Sequence, residues 1–164
     1  MRLMWRATRI IGQLLSLCLA FAAVPACSAG QNQHAVALMK TAPNPKVPAM
    51  KIRLIINDQT LSATLEDSVP AREFAAQLPI TLQLEDYAAT EKIAQLPRRL
   101  SIAGEPDGIT PLAGDIAFYA PWGNLAIFHR PFGYSKGLVL LGRIEGSLQA
   151  FRAEGPVVVR LEVE

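Results

Sequence analysis

Apolar and polar residues alternate with period two in several short runs between Met50 and Glu164, and this spacing predicts strands. In the run 51–56 the inward positions are Ile52, Leu54 and Ile56. In the run 60–65 they are Leu61, Ala63 and Leu65, and Asn57-Asp58-Gln59 between the runs closes a hairpin. Asp67 or Ser68 caps the helix that follows, with Pro70 in its first turn, where a missing N–H costs nothing. Ala71, Phe74, Ala75 and Leu78 form one face of that helix and Pro79 stops it. Ile80, Leu82 and Leu84 then alternate again as a strand. A second hairpin turns at Pro121-Trp122-Gly123-Asn124. Ile116 and Phe118 alternate before the turn; after it Leu125, Ile127 and His129 share one face, and Ala126, Phe128 and Arg130 the other. Leu138 to Ile144 is apolar apart from Arg143, the pattern of a strand buried on both faces, and Ser147 to Phe151 predicts a short helix. Val157, Val159, Leu161 and Val163 close the chain as an inward-facing set, with Val158, Arg160 and Glu162 outward. Residues 85–114 carry no period, and Glu105-Pro106-Asp107-Gly108 within them is a turn signal. Seven or more short strands, one or two helices and no strand–helix repeat predict a mainly β fold, a small barrel or closed sheet.

The first residues follow another rule. Arg2, Arg6 and Arg9 precede an apolar run from Ile10 to Val24 and then small residues, the layout of a secretory signal peptide over 1–26. Val24-Pro25-Ala26-Cys27 resembles a bacterial lipobox, which implies cleavage before Cys27 and attachment of diacylglyceryl to its sulfur. Cleavage by ordinary signal peptidase after Ala26 or Ala29 is the alternative. Pro43, Pro45 and Pro48 make residues 27–49 an extended tether, in which His34 is exposed and without a role. The expected location is extracytoplasmic: periplasmic and membrane-tethered through this lipid, or secreted. Cys18 leaves with the signal peptide, so no intrachain disulfide survives and packing must hold the domain 50–164 together.

Charge narrows the partners. The formal charge of +2 includes three arginines of the leader; from Cys27 onward 13 basic residues face 14 acidic ones. A near-neutral domain without a basic stripe predicts no nucleic-acid partner. Arg98-Arg99 is expected to be a solvated edge. Glu85 and Asp86, adjacent on a strand, point to opposite faces and so form no paired carboxylate site. Gly133-Tyr134-Ser135-Lys136-Gly137 has the letters of a serine-hydrolase elbow. That elbow needs a strand-to-helix turn and a later histidine, whereas here a strand pattern follows and His129 precedes Ser135. One histidine in the domain and one cysteine in the tether leave too few ligands for a protein metal site, so neither a metal nor a cofactor is expected.

Over residues 50–164, the runs MKIRLIINDQTLSATL, GDIAFYAPWGNLAIF, GYSKGLVLLGRIEGSLQAF and VVVRLEV resemble the small bacterial cyclophilin-like domains. The resemblance implies a closed cyclophilin-type β-barrel of about eight strands with one or two short helices, and it brings no activity with it, the family being largely uncharacterised. Leu140 to Gly146 is similar to the late Phe-Gly-Lys-Val-x-x-Gly stretch of true cyclophilins, which is structural. Phe128-His129-Arg130 has the letters of the proline-isomerase motif but lies too close to that stretch. The isomerase Gln-Phe-Phe strand and its late Trp and His lack counterparts in order.

Six of the eleven aromatic residues fall between Gly114 and Gly146. Trp122, in a turn, either forms a lip over a groove with Tyr119, Phe132 and Tyr134 or folds back to plug the barrel end. Arg130 beside such a groove would fix a carbonyl or carboxylate through its fork of donors. His129 is read as a partly buried, hydrogen-bonded residue at a strand end and is the remaining ligand-binding candidate. The sequence thus points to a module for a peptide or small apolar ligand, with a peptidyl-prolyl isomerase as one alternative and a structural or assembly partner as another.

Overall fold

The computed structural model describes residues 49–164; the expected signal peptide, Cys27 and all but the last residue of the tether lie outside the described residues. Ten strands and two helices follow in order: β1 (Lys51–Ile56), β2 (Gln59–Leu65), α1 (Val69–Ala75), β3 (Ile80–Tyr87), β4 (Glu91–Gln95), β5 (Gly108–Ile109), β6 (Asp115–Tyr119), β7 (Asn124–Phe128), β8 (Ser135–Lys136), β9 (Leu138–Glu145), α2 (Gln149–Arg152) and β10 (Val157–Val163). Eight of the strands close an antiparallel barrel in the order β1-β10-β3-β4-β7-β6-β9-β2, while β5 and β8 pair separately as a two-stranded ribbon.

The expected periods produce this wall. Ile52, Leu54, Ile56, Ala63 and Leu65 are buried in the barrel with Leu82, Leu84, Ile116, Phe118, Leu125, Ile127, Val159 and Leu161. The Ser68 hydroxyl accepts from Ala71 N at 3.3 Å and caps α1, whose Phe74 is fully buried. Some inward expectations are met only in part: Leu61, Leu78, Ile80 and Val157 are half-buried against this core, and Val163 is exposed. The apolar run of β9 is buried on both faces apart from half-buried Leu140. A register shift against β6, between Ile116↔Gly142 and Ala117↔Leu140, takes up Leu141 as an extra residue. Gly142 belongs at that irregularity because a Cβ there would collide with the Thr64 carbonyl and stand 2.9 Å from Leu65 Cα.

The neighbouring strands β6 and β9 are tied together by a side-chain pair. Asp115, buried at the start of β6, accepts from Arg143 of β9 at 2.8 Å (Nε) and 2.7 Å (Nη2), and its other oxygen accepts from Leu112 N at 2.8 Å. The segment without a period is ordered by capping contacts of the same kind. Glu73 of α1 accepts from Ser101 N at 2.6 Å, Arg98 exchanges contacts with Gln77 and donates to Ala76 O, and Arg99 donates to Ala120 O. The arginine pair is therefore tied to backbone carbonyls and is more than a solvated edge.

β4 has no counterpart among the expected elements. It pairs with β3 through Tyr87↔Glu91, Asp86↔Lys92 and Glu85↔Ile93, across a turn in which Ala88 and Ala89 both have positive φ, 49° and 55°. Lys92 stands at an inward position and is fully buried. Its ammonium donates to Ala153 O at 2.7 Å and Gly155 O at 2.6 Å and lies 2.5 Å from Asp86, so all three of its donors are used. Asp86 also accepts from Gly155 N at 2.7 Å. Lys92 thus fastens the segment between α2 and β10 to the β3–β4 hairpin.

Candidate functional site

The outer face of β6 and β7 is apolar as well. Ala117, Ala126, Phe128 and Leu138 form a second buried cluster, packed by Ile93, Ile109 and Tyr119. This part of the wall therefore has a core on each side. Where its covering segments stop, a cup of about 150 Å³ remains on the outer surface. Phe128, Ile93 and Leu138 contribute to its lining from three adjacent parts of the wall, and Tyr87, Tyr119, Trp122 and Phe132 surround it with Ser135. Five rings from separate segments converge there, and Tyr87, Trp122 and Phe132 are each more than two-fifths exposed.

The rim is held in place by backbone contacts. Gly123 N donates to Tyr119 O at 2.8 Å and closes the β6–β7 turn, while Ala120 N donates to Gly137 O at 2.9 Å. Gly137 has φ +81°, and a Cβ there would stand 2.9 Å from Pro121 Cδ, so this contact requires glycine. Trp122, carried by that turn, stands edge-on to Tyr87 (centroids 5.4 Å, 88°) and to Tyr119 (5.4 Å, 81°). It forms part of the cup's wall, in the manner of the lip reading, and leaves the barrel end to Lys92 and its partners.

Besides Ser135, Glu91 and Asn124 are the polar non-aromatic side chains that line the cup. Glu91, at the start of β4, is only 8 % exposed, and burial raises its carboxyl from 4.5 to about 7. No hydrogen bond or ion pair within the described residues relieves that burial. Asn124 is buried; its Nδ2 donates to Leu125 O at 3.3 Å, and its Oδ1 has no donor.

The residues singled out in the sequence divide into two groups. Tyr119, Trp122 and Phe132 line the cup; His129, Arg130 and Tyr134 do not. Arg130 and Tyr134 are exposed outside it. His129 is more deeply buried than expected, and its Nδ1 has no hydrogen-bond partner. It lies on the side of Leu125 and Ile127, and its pKa is lowered by burial, then by the charges of Arg130 and Lys92. Ser135 is in β8 and leads through Gly137 into a strand, so the hydrolase elbow geometry is absent there. Glu91, Asn124, Tyr87 and Phe128 escaped the sequence reading. Among the described residues there is no cluster of three His, Cys, Asp or Glu suited to a metal ion, and no helix long and apolar enough to cross a membrane.

A closed antiparallel barrel with a small aromatic cup on its outer wall is the class that fold and site define. The chain belongs to the cyclophilin-like family, whose sequence profile matches residues 54–162. Among solved structures, it is similar to a hypothetical protein from Archaeoglobus fulgidus, determined in solution, with 16 % identity and a TM-score of 0.53 over 71 % of this chain and 95 % of that one. At that identity the likeness is one of fold. No curated protein matches the chain.

Proposed function

We propose that this domain is a binding module whose outer-wall cup takes a small, largely apolar ligand or a single apolar side chain of a peptide. The observation that carries the reading is the convergence of Tyr87, Tyr119, Trp122, Phe128 and Phe132 on one depression, three of them substantially exposed. Large rings left at a surface keep apolar area in water, and a ligand that covers them removes that cost. At about 150 Å³ the cup is smaller than a drug-sized site and fits one small group, with an apolar lining and a few placed polar groups. Isomerase chemistry has less support, because Arg130, the donor it would use, is not among the lining residues. The leader pattern Val24-Pro25-Ala26-Cys27 supports an extracytoplasmic module, with Cys27 as the point of lipid attachment.

NMR titration of the labelled protein with a short Ala-Pro peptide and with 3,3-dimethyl-1-butanol tests this. Shifts centred on Trp122, Tyr119 and Phe132, lost in Trp122→Ala, are the expected result. Faster cis/trans exchange of the peptide that disappears in Arg130→Ala would establish the isomerase instead. With neither effect, the domain serves assembly.

A further inference from the structure

The polar chemistry of the cup is one-sided. Glu91 brings a carboxylate and Asn124 an acceptor oxygen without a donor, whereas among the described residues no Lys, Arg or His lines the cup. Lys92 is Glu91's neighbour in sequence, but it is turned to the other side of the wall and spent on Asp86, Ala153 and Gly155. His129 lies on that same inner side, and Arg130 and Lys136 are exposed outside the cup. Charge on Glu91 is therefore left without a counter-charge among the described residues. The rings add to this preference, since an aromatic face carries the negative part of its quadrupole and attracts a cation placed over it. Trp122 stands perpendicular to both Tyr87 and Tyr119, an arrangement of walls rather than of a stack. An anionic guest would face Glu91, and a neutral hydrocarbon would leave both acceptors unpaired.

We propose that the cup selects a small organic cation, an alkyl- or quaternary ammonium group, seated between the aromatic rings with its charge against Glu91. This deepens the binding reading above and rests on it. Burial alone raises Glu91 to about 7, with no charged neighbour contributing. A bound cation supplies the missing partner and draws the carboxyl back down, so binding near pH 7 releases protons.

The test compares choline with 3,3-dimethyl-1-butanol, which has the same shape with a carbon in place of the charged nitrogen, by titration of the whole protein at pH 8.5 and pH 5.5. Trp122 resonances report occupancy. At pH 8.5 choline should bind roughly tenfold more tightly than the alcohol, and at pH 5.5 that preference should largely vanish as Glu91 takes up a proton. Glu91→Gln should abolish the preference of choline over the alcohol at both pH values, and native amide chemical-shift dispersion away from the cup shows that the variant is folded. Equal affinities at pH 8.5, or tighter binding of the alcohol, overturn the cation proposal and leave the apolar binding site standing. Binding of neither probe overturns both.

Discussion

Glu91 and Lys92 are neighbours in the chain, yet β4 sends them to opposite sides of the barrel wall, one into the outer cup and the other into the barrel with three partners. Two opposite charges that would neutralise each other in a loop are kept apart by the alternation of a strand. Each has its own measurable consequence.

Glu91 stabilises the fold only while it is protonated. The unfolded carboxyl gives up its proton near 4.5 and the folded one near 7, so the folded state holds more protons between those values. Stability from this group is full below about 4.5 and is lost as pH rises through 7, for a difference on the order of 2–3 kcal/mol. His129 acts in the opposite sense. Its pKa is lowered from 6.5, so the unfolded state takes up a proton first and stability falls as pH drops below 6.5. Glu91→Gln should therefore raise the urea midpoint at pH 8 and, by removing the contribution that offsets His129, make stability rise more steeply with pH below 6.5.

Lys92→Met should destabilise the domain by roughly 2–4 kcal/mol. The replacement fills a similar volume, so the loss comes from the Ala153 and Gly155 carbonyls left without their donor. Denaturation at pH 7 measures the loss, and amide exchange should rise most between α2 and β10.

Ala88 and Ala89 occupy the left-handed region in the turn between β3 and β4, where a Cβ costs about 1–2 kcal/mol per residue. The double change Ala88→Asn, Ala89→Gly supplies the residues such a turn favours. It should raise stability by about 1 kcal/mol after the added freedom of the unfolded chain is subtracted. Thermal or urea denaturation checks it, and an unchanged or lower stability would contradict the assigned backbone.

Cys27→Ser should release the protein from the membrane fraction if the cysteine carries lipid. Mass spectrometry of the mature N-terminus distinguishes that outcome from cleavage after Ala26 or Ala29.

The same alanine turn explains what the sequence concealed. β1, β2, β3, β7 and β10 announce themselves by period two and by Asn, Gly or Pro at their ends. Ala88-Ala89 carries no such punctuation, and Lys92 places a charge where the period expects an apolar residue, so Glu91–Gln95 reads as a polar stretch. Without β4 the cup could not be assembled on paper. Tyr119, Trp122 and Phe132 stand out by their aromatic character alone, but Glu91 and Asn124 enter the site only through the β4–β7 pairing, in which Gln95 meets Asn124 and Glu91 meets Phe128. Arg130 and His129 were grouped with the aromatics by proximity in the chain. The wall separates His129 from the cup, and the turn of the chain beyond β7 leaves Arg130 outside it.

Closure of the barrel also limits how a partner can be read. An open sheet offers a rim of unpaired amides and carbonyls to which an extended peptide adds as a further strand. Here each of the eight wall strands already has a neighbour on both sides, and the unpaired flanks left among the described residues belong to β5 and β8, two residues each. Main-chain zippering, which reads length and direction, is thereby closed to a partner of this wall. Recognition falls to side chains, which read shape and charge one group at a time.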